Sequence, residues 1–317
     1  MKAVLLRGYG GVDQLDFTDV PDPRPNRGEV LIRVISSSVN PIDYKLRSGA
    51  MRSAVHLNMP VILGRDVAGE VTALGGGVDR FAVGDLVMGL VNQSYAEYLT
   101  TGADILTRIP EGLGPRDAGV LPLVTITGAQ LIENGVQPRT GEVVLVTGAA
   151  GSVGRTAVFV AKQHGAKVIA GVRAKQRADA EKSLGADLVI ALDVVALDNV
   201  ALDNVALDKD EGIAQLPELD AIADTIDGET LGRLLPKLKK SGRIASVLGN
   251  PEAAAKAGID VREVWSRPDP ERLRKLAEDY RDGKLKIPIA ERVPLSDIRR
   301  AHELAEKGVE GKIAILP

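Results

Sequence analysis

The segment V-T-G-A-A-G-S-V-G, Val146 to Gly154, carries the strongest chemical signal in the chain. Its last six residues, Ala149, Ala150, Gly151, Ser152, Val153 and Gly154, fit Gly-x-Gly-x-x-Gly with Ala in the first place. The segment lies between the strand-like run EVVLV and a helical pattern, RTAVFVAKQHG. Small residues let a backbone approach a pyrophosphate, Gly154 lets the helix pack closely on its strand, and the helix start offers unsatisfied N–H groups to an anion. The pattern predicts a bound dinucleotide. At the end of the next strand, where an NAD site keeps Asp or Glu for the ribose hydroxyls, the chain reads Gly171, Val172, Arg173, Ala174, Lys175, Gln176 and Arg177. Arg173, Lys175 and Arg177 suit a 2′-phosphate, which predicts NADPH.

Other chemistries are closed by composition. The chain has no cysteine, which removes disulfides, thiolate nucleophiles and every zinc site that needs a Cys ligand. His56, His164 and His302 stand apart from one another, and no carboxylate spacing makes a triad with them. Charges nearly balance, 40 basic against 43 acidic side chains, so no basic stripe invites nucleic acid or a membrane surface. The four-residue apolar stretch behind Met1 and Lys2 is too short for a signal-peptide core, and the expectation is a cytoplasmic protein.

These residues need elements to hold them. A length of 317 residues suggests two domains. In the first third, short apolar runs (Lys2 to Leu6, Glu29 to Ser36, Asp66 to Leu74, Leu86 to Leu90, Ala96 to Leu99) alternate with turn clusters, predicting a small barrel or sandwich of mostly antiparallel strands. From Gly141 the pattern becomes strand, glycine-rich turn, helix, strand. It continues with a helix over 175–184, strands DLVIAL and DAIADT, a helix over 229–240, and strands GRIASVL and DVREVW, predicting a six-stranded parallel sheet covered on both faces. Two amphipathic helices, ERLRKLAEDYRDGKL and LSDIRRAHELAEKG, then lead to GKIAILP. One pentad repeat, ALDVV-ALDNV-ALDNV-ALDKD from Ala191 to Asp210, would not line one face of a helix, because five residues overshoot a turn by about 140°. It is expected to be a surface expansion between two strands.

The order of motifs resembles the zinc-independent quinone oxidoreductase and enone reductase branch of the medium-chain dehydrogenase/reductase superfamily. The resemblance covers nearly the whole chain: VNPIDYKLRSG (Val39 to Gly49), LGRDVAGEVTALGGGVDRFAVGDLVMG (Leu63 to Gly89), YAEYL (Tyr95 to Leu99), LPLVTITGAQLI (Leu121 to Ile132), VTGAAGSVG, and GKI (Gly311 to Ile313). It implies a GroES-like β-barrel catalytic domain from residues 1–115 and 266–317, and an NADPH-binding Rossmann domain from 116–265. Zinc-dependent relatives carry Cys ahead of the Asp in the first motif and Gly-His-Glu in the second; here Asn40 and Gly64-Arg65-Asp66 stand there. Without a Lewis acid an unactivated alcohol is a poor hydride donor, so the implied reaction is hydride transfer to a quinone or an α,β-unsaturated carbonyl.

Around the acceptor the resemblance places Asn40, Tyr44 and Lys45, with Tyr44 or Lys45 donating to the developing oxyanion and Asp43 orienting Lys45 or a ribose hydroxyl. The best-known branch members place Tyr where Lys45 stands, and enone-reducing relatives place Lys there. Asn40 before Pro41 could equally shape a turn, and Asp43 could cap a helix. Thr127, Gly249 and Asn250 are carried over as contacts of the nicotinamide half, and Lys312 as a basic residue near the cofactor phosphates. A homodimer through Asp260 to Trp265 is also implied. Open alternatives are a biosynthetic or acyl-thioester double-bond reductase, and a non-catalytic NADPH-binding protein.

Overall fold

A computed structural model describes residues 1–193, 213, 215–226, 229–249 and 252–317. Beyond Asp193 the pentad repeat lies outside the described residues. The chain divides into two compact units, Met1–Ile126 with Arg267–Pro317, and Thr127–Ser266.

In the first unit, β1 (Lys2–Leu6), β2 (Leu15–Asp19) and β4 (Val61–Ile62) make one antiparallel sheet in the order β2-β1-β4. The second sheet is built on β3 (Glu29–Val39), with β5 (Asp66–Leu74), β6 (Leu86–Leu90), β7 (Tyr98–Gly102) and β8 (Leu106–Arg108). Eleven residues give β3 room to bend, and register shifts at Leu31/Ile32 and Val34/Ser36 mark the bends. One stretch pairs with β7 and another with the last strand. Helix α1 (Pro41–Ser48) follows β3 directly. Asn40, held extended by the proline behind it, is its N-cap, Pro41 opens the first turn, and Gly49 ends it with φ +82°.

The short helix α2 (Pro115–Ala118) and the start of α3 (Pro122–Gln130) stay with this unit, past the expected break after Pro115. Two bonds hold them: Ser36 Oγ donates to Pro115 O at 2.7 Å, and Leu123 N donates to Asp66 Oδ1 at 2.6 Å.

The second unit is a six-stranded sheet of β9 (Val143–Val146), β10 (Lys167–Val172), β11 (Leu188–Ala191), β12 (Leu219–Asp224), β13 (Leu238–Ser246) and β14 (Val261–Glu263). All pairs are parallel, in the order β11-β10-β9-β12-β13-β14, the doubly wound arrangement whose ligand crevice opens at the carboxyl ends of the two central strands. Register places Ile169, Leu145, Ile222 and Ile244 in one row across four strands. Leu231 and Leu234 of α6 (Glu229–Leu234) and Ala254 of α7 (Glu252–Lys256) cluster with that row. The next row, Ala170, Val146, Ala223 and Ala245, points the other way and is small, so elements there come close.

Helices α4 (Ser152–Gln163) and α5 (Arg177–Ser183) complete the unit. The helix expected over 229–240 stops at Leu234: Pro236 breaks the α-helical ladder, a tighter turn covers Leu235–Lys237, and β13 begins at Leu238. His164 ends α4, ahead of Gly165 at φ +75°.

After Ser266 the chain re-enters the first unit through α8 (Pro270–Arg281), β15 (Ile289–Pro294), α9 (Ile298–Glu306) and β16 (Lys312–Leu316). β16 pairs antiparallel with β3, matching Ile313 with Val39 and Ala314 with Ser38. That register sets Lys312 beside the start of α1.

Candidate active site

The glycine-rich turn leaves β9 at its carboxyl end. Gly148 takes φ +59°, its carbonyl accepts from Gly151 N at 2.9 Å, and Ala149 N donates to Gly171 O at 3.0 Å. A Cβ on Gly154 would meet Gly148 O at 2.2 Å and Ala149 Cα at 2.7 Å, so no other residue fits there without moving backbone. On Gly151 it would stand 3.2 Å from Gly148 O. Gly151 is the N-cap of α4, and Ser152 and Val153 form its first turn, presenting backbone N–H groups. This cradle fits the pyrophosphate of a dinucleotide.

Three strand ends beside the turn are cross-linked by groups that sequence reading missed. Asp224, fully buried at the end of β12, accepts from Thr147 Oγ1 at 2.8 Å and from Ser246 Oγ at 3.0 Å. Thr225 answers by donating its N–H and hydroxyl to Thr147, at 2.8 and 2.7 Å. Arg155, one residue past the glycine pattern, folds back over the turn: its Nε donates to Ala150 O at 2.9 Å, and its other nitrogens reach Ser183 and Asp179 on α5. An Arg directly after the last glycine was the available signal.

Arg173, Lys175 and Arg177 are exposed together where β10 runs into α5. Arg177 also pairs with Glu181 at 2.9 Å. The loop does receive a carboxylate, but from just past the end of β11: Asp193 Oδ1 accepts from Ala174 N at 2.6 Å. Gly249 follows β13 with φ +93° and open space where a Cβ would stand, Thr127 is buried, and Asn250 lies outside the described residues.

In the first unit the structure gathers Asn40, Asp43, Asp66 and Lys312, and turns them inward. Asn40 Nδ2 donates to Asp66 Oδ2 at 2.7 Å, while Asn40 Oδ1 accepts from Lys312 Nζ at 2.5 Å. That orientation is the only consistent one, since a flipped amide would set NH2 against an ammonium. Lys312 Nζ also donates to Val39 O at 3.0 Å and lies 3.9 Å from Asp66 Oδ2. Ser38 Oγ donates to the same carboxylate oxygen. Burial lowers the Lys312 pKa from its ordinary value, opposed by Asp66 and Asp43. Lys312, carried over by resemblance as a residue near the cofactor phosphates, is thereby turned into its own unit by bonds to Val39 and Asn40.

Asp43 is likewise redirected. Its Oδ2 accepts from Asn40 N at 2.8 Å, so it caps α1 and does not orient Lys45. Burial, with Asp66 adding to it, pushes its pKa up to about 6, against the Asn40 N–H, the Tyr95 hydroxyl and Lys312. Tyr44 and Lys45, on the less buried side of α1, remain partly accessible. Burial and the nearby Glu306 raise the Tyr44 pKa, which keeps the hydroxyl protonated. Beneath α1, His302 is fully buried with its ring edge-on to Tyr95, centroids 5.8 Å apart, and burial followed by the Arg47 charge pushes its pKa down to about 3.

Comparison with known proteins matches residues 26–133 to the alcohol dehydrogenase GroES-like domain family and residues 184–315 to the zinc-binding dehydrogenase family. The chain is 29% identical to a chloroplast envelope quinone oxidoreductase homolog of Arabidopsis thaliana, covering 100% of this chain and 98% of that protein. Among solved structures it superposes on the quinone oxidoreductase from Coxiella burnetii with a TM-score of 0.85 at 29% identity, covering 100% and 99% of the two chains. A mycobacterial protein solved with NADPH matches with a TM-score of 0.82 at 26% identity, over 100% of both chains.

The zinc in the second family's description does not fit the residues present. Asn40 offers an amide already held by Asp66 and Lys312, an ammonium occupies the centre of the cluster, and no three His, Cys, Asp or Glu side chains form a metal-binding group among the described residues. Nor is any helix among them long and apolar enough to cross a membrane. With both family matches, full-length relatives and the doubly wound sheet in agreement, the chain belongs to the medium-chain dehydrogenase/reductase superfamily, in its quinone oxidoreductase-like branch, and is an oxidoreductase.

Proposed function

We propose that the chain is an NADPH-dependent reductase of quinones or of C=C bonds conjugated to a carbonyl, working without zinc. The observation that carries the acceptor class is the buried cation cluster: the Lys312 ammonium donates to Val39 O and Asn40 Oδ1, faces the Asp66 carboxylate at 3.9 Å and belongs to a side chain only 5% exposed, so burial closes it to an alcohol oxygen. An acceptor polarised by its own conjugation needs none. Preference for NADPH rests on Arg173, Lys175 and Arg177 at the end of β10, with no acidic residue among 171–177.

When bound, the cofactor supplies a hydride. The residues that would hold it are the backbone of Ala149, Gly151, Ser152, Val153 and Gly154 at the pyrophosphate, the β10 cations at the 2′-phosphate, and Thr127, Gly249 and Asn250 towards the nicotinamide. Asn40 and Asp43 keep α1 in place from beneath. Tyr44 and Lys45 are the donors this reading sets at the acceptor oxygen, each worth about 2.7–4 kcal/mol of transition-state stabilisation when aligned.

The reading also includes a homodimer. β14 is an edge strand, and Trp265 just beyond it is 55% exposed, so a second copy could continue the sheet.

The test is oxidation of NADPH and NADH followed at 340 nm with 1,4-benzoquinone, 9,10-phenanthrenequinone, an alkenal, an alkyl vinyl ketone, and a simple alcohol in reverse. Turnover of a quinone or enone with NADPH preferred is the expected result. NADPH binding without reduction of any acceptor would move the assignment to a binding protein or to a narrow biosynthetic substrate.

A further inference from the structure

A lysine ammonium is an expensive group to bury unless its donors are met and its charge is balanced. For Lys312 one unit supplies acceptors to two of the three N–H bonds and a carboxylate to balance the charge. Its acceptors come from Val39 at the end of β3 and from Asn40 at the start of α1, and its balancing charge, Asp66, comes from the first residue of β5. Asp66 is itself held by three donors. It accepts from Ser38 Oγ, from Asn40 Nδ2 and from the backbone of Leu123.

The two positions that hold this ammonium, Asn40 and Asp66, are those at which zinc-dependent relatives keep Cys and the Glu of Gly-His-Glu. A divalent ion in such a place does two things: it fixes the surrounding protein, and through an open coordination position it polarises substrate. An ammonium buried among protein acceptors and closed to solvent does only the first.

We propose that Lys312 is a resident cation that takes over the structural half of the metal's task, a positioning residue that fixes the start of α1 through the Asn40 amide and gives up substrate polarisation. β16 thereby becomes part of the site's frame. The amide of Asn40 is consumed at both ends, one by Asp66 and one by Lys312, so it orients α1 and leaves contact with the acceptor to Tyr44 and Lys45. Only this last clause rests on the reductase reading. The cation role concerns the first unit by itself.

The test uses the full chain and needs no substrate. Lys312→Met keeps the apolar stem and removes the charge, leaving Asp66 buried and unbalanced. Melting temperature is expected to fall by on the order of 10 °C. Lys312→Met/Asp66→Asn removes both charges and is expected to recover at least half of that loss. Lys312→Ala is expected to be stabilised by n-propylammonium chloride, which supplies the missing three carbons and ammonium, and not by tetramethylammonium chloride at equal ionic strength.

A packing role would give a different pattern. Lys312→Met would then match the wild-type chain, and the two salts would act alike on Lys312→Ala. Either result overturns the proposal, as does a double variant no more stable than Lys312→Met, including the case in which neither folds. The reductase reading is tested separately by acceptor turnover of the wild-type chain, so one can fail while the other stands. If both stand, Lys312→Met/Asp66→Asn should lower kcat while the Kd for NADPH, read by fluorescence, stays within twofold of wild type.

Discussion

Thr147 and Asp224 lie 77 residues apart in the chain and join through a 2.8 Å hydrogen bond at the carboxyl ends of β9 and β12, the two central strands of the parallel sheet. Since strand order reverses between these strands, the bond braces the crevice where the glycine-rich turn begins. Asp224→Ala would strand the hydroxyls of Thr147 and Ser246 in a buried place. The expected cost is about 2–4 kcal/mol in urea unfolding, together with weaker NADPH binding by fluorescence titration. Asp224→Asn keeps an acceptor and should lose less.

The glycines of the turn should rank by the space around them. Gly154→Ala drives a methyl to 2.2 Å from Gly148 O, a clash with backbone that no rotamer relieves, whereas Gly151→Ala meets the same oxygen at 3.2 Å. The first should cost about 1–3 kcal/mol and most of the NADPH affinity. The second should keep near-normal melting but bind cofactor more weakly, because its methyl would fill the approach.

Asp43 should make the protein less stable as pH rises through its range. Its folded pKa of about 6 lies above the ordinary 3.8, so the folded state holds this proton more tightly than the unfolded one. The contribution is fully present below about pH 4 and is lost as pH climbs to 6 and beyond, at most on the order of 3 kcal/mol. Asp43→Asn retains an acceptor for the Asn40 N–H and cannot ionise. The difference in melting temperature, variant minus wild type, should therefore grow between pH 4 and 7; a flat difference would place the Asp43 carboxyl at an ordinary pKa.

His302 runs the opposite way. Its pKa of about 3 lies below the ordinary 6.5, so its contribution is present above pH 6.5 and is lost as pH falls towards 3. His302→Phe keeps a flat ring against Tyr95 without the titration, and acid unfolding, followed by circular dichroism, should shift to lower pH.

At the cofactor end, Arg173→Ala should reduce the ratio of kcat/KM for NADPH over NADH by about tenfold, the size expected when a charged contact to a 2′-phosphate worth about 1.4 kcal/mol is lost. Little change would assign the preference to Lys175 or Arg177.

The sequence by itself determined the parts that local physics governs. Alternating apolar strands and helical periodicity gave all six strands of the parallel sheet, and the requirement for Gly at position 154 was readable because its clash is with residues only a few positions away. Local spacing left Asp43 ambiguous, because a carboxylate three residues after an N-cap suits both a cap and a catalytic role; in the fold its Oδ2 takes the Asn40 N–H and caps α1. Arg155 stands directly after the last glycine of the turn, but its partners Ser183 and Asp179 belong to the next helix, so no local pattern relates them. The rest belongs to tertiary structure. Asp224 acquires its meaning from Thr147 and Ser246, and Lys312 from Asn40, 272 residues away, because parallel crossovers and a returning C-terminal strand bring together groups that no local pattern relates. A lysine near a chain end reads as a solvated charge until the antiparallel register of β16 on β3 places it in the core, where only paired donors and a balancing carboxylate make its burial tolerable.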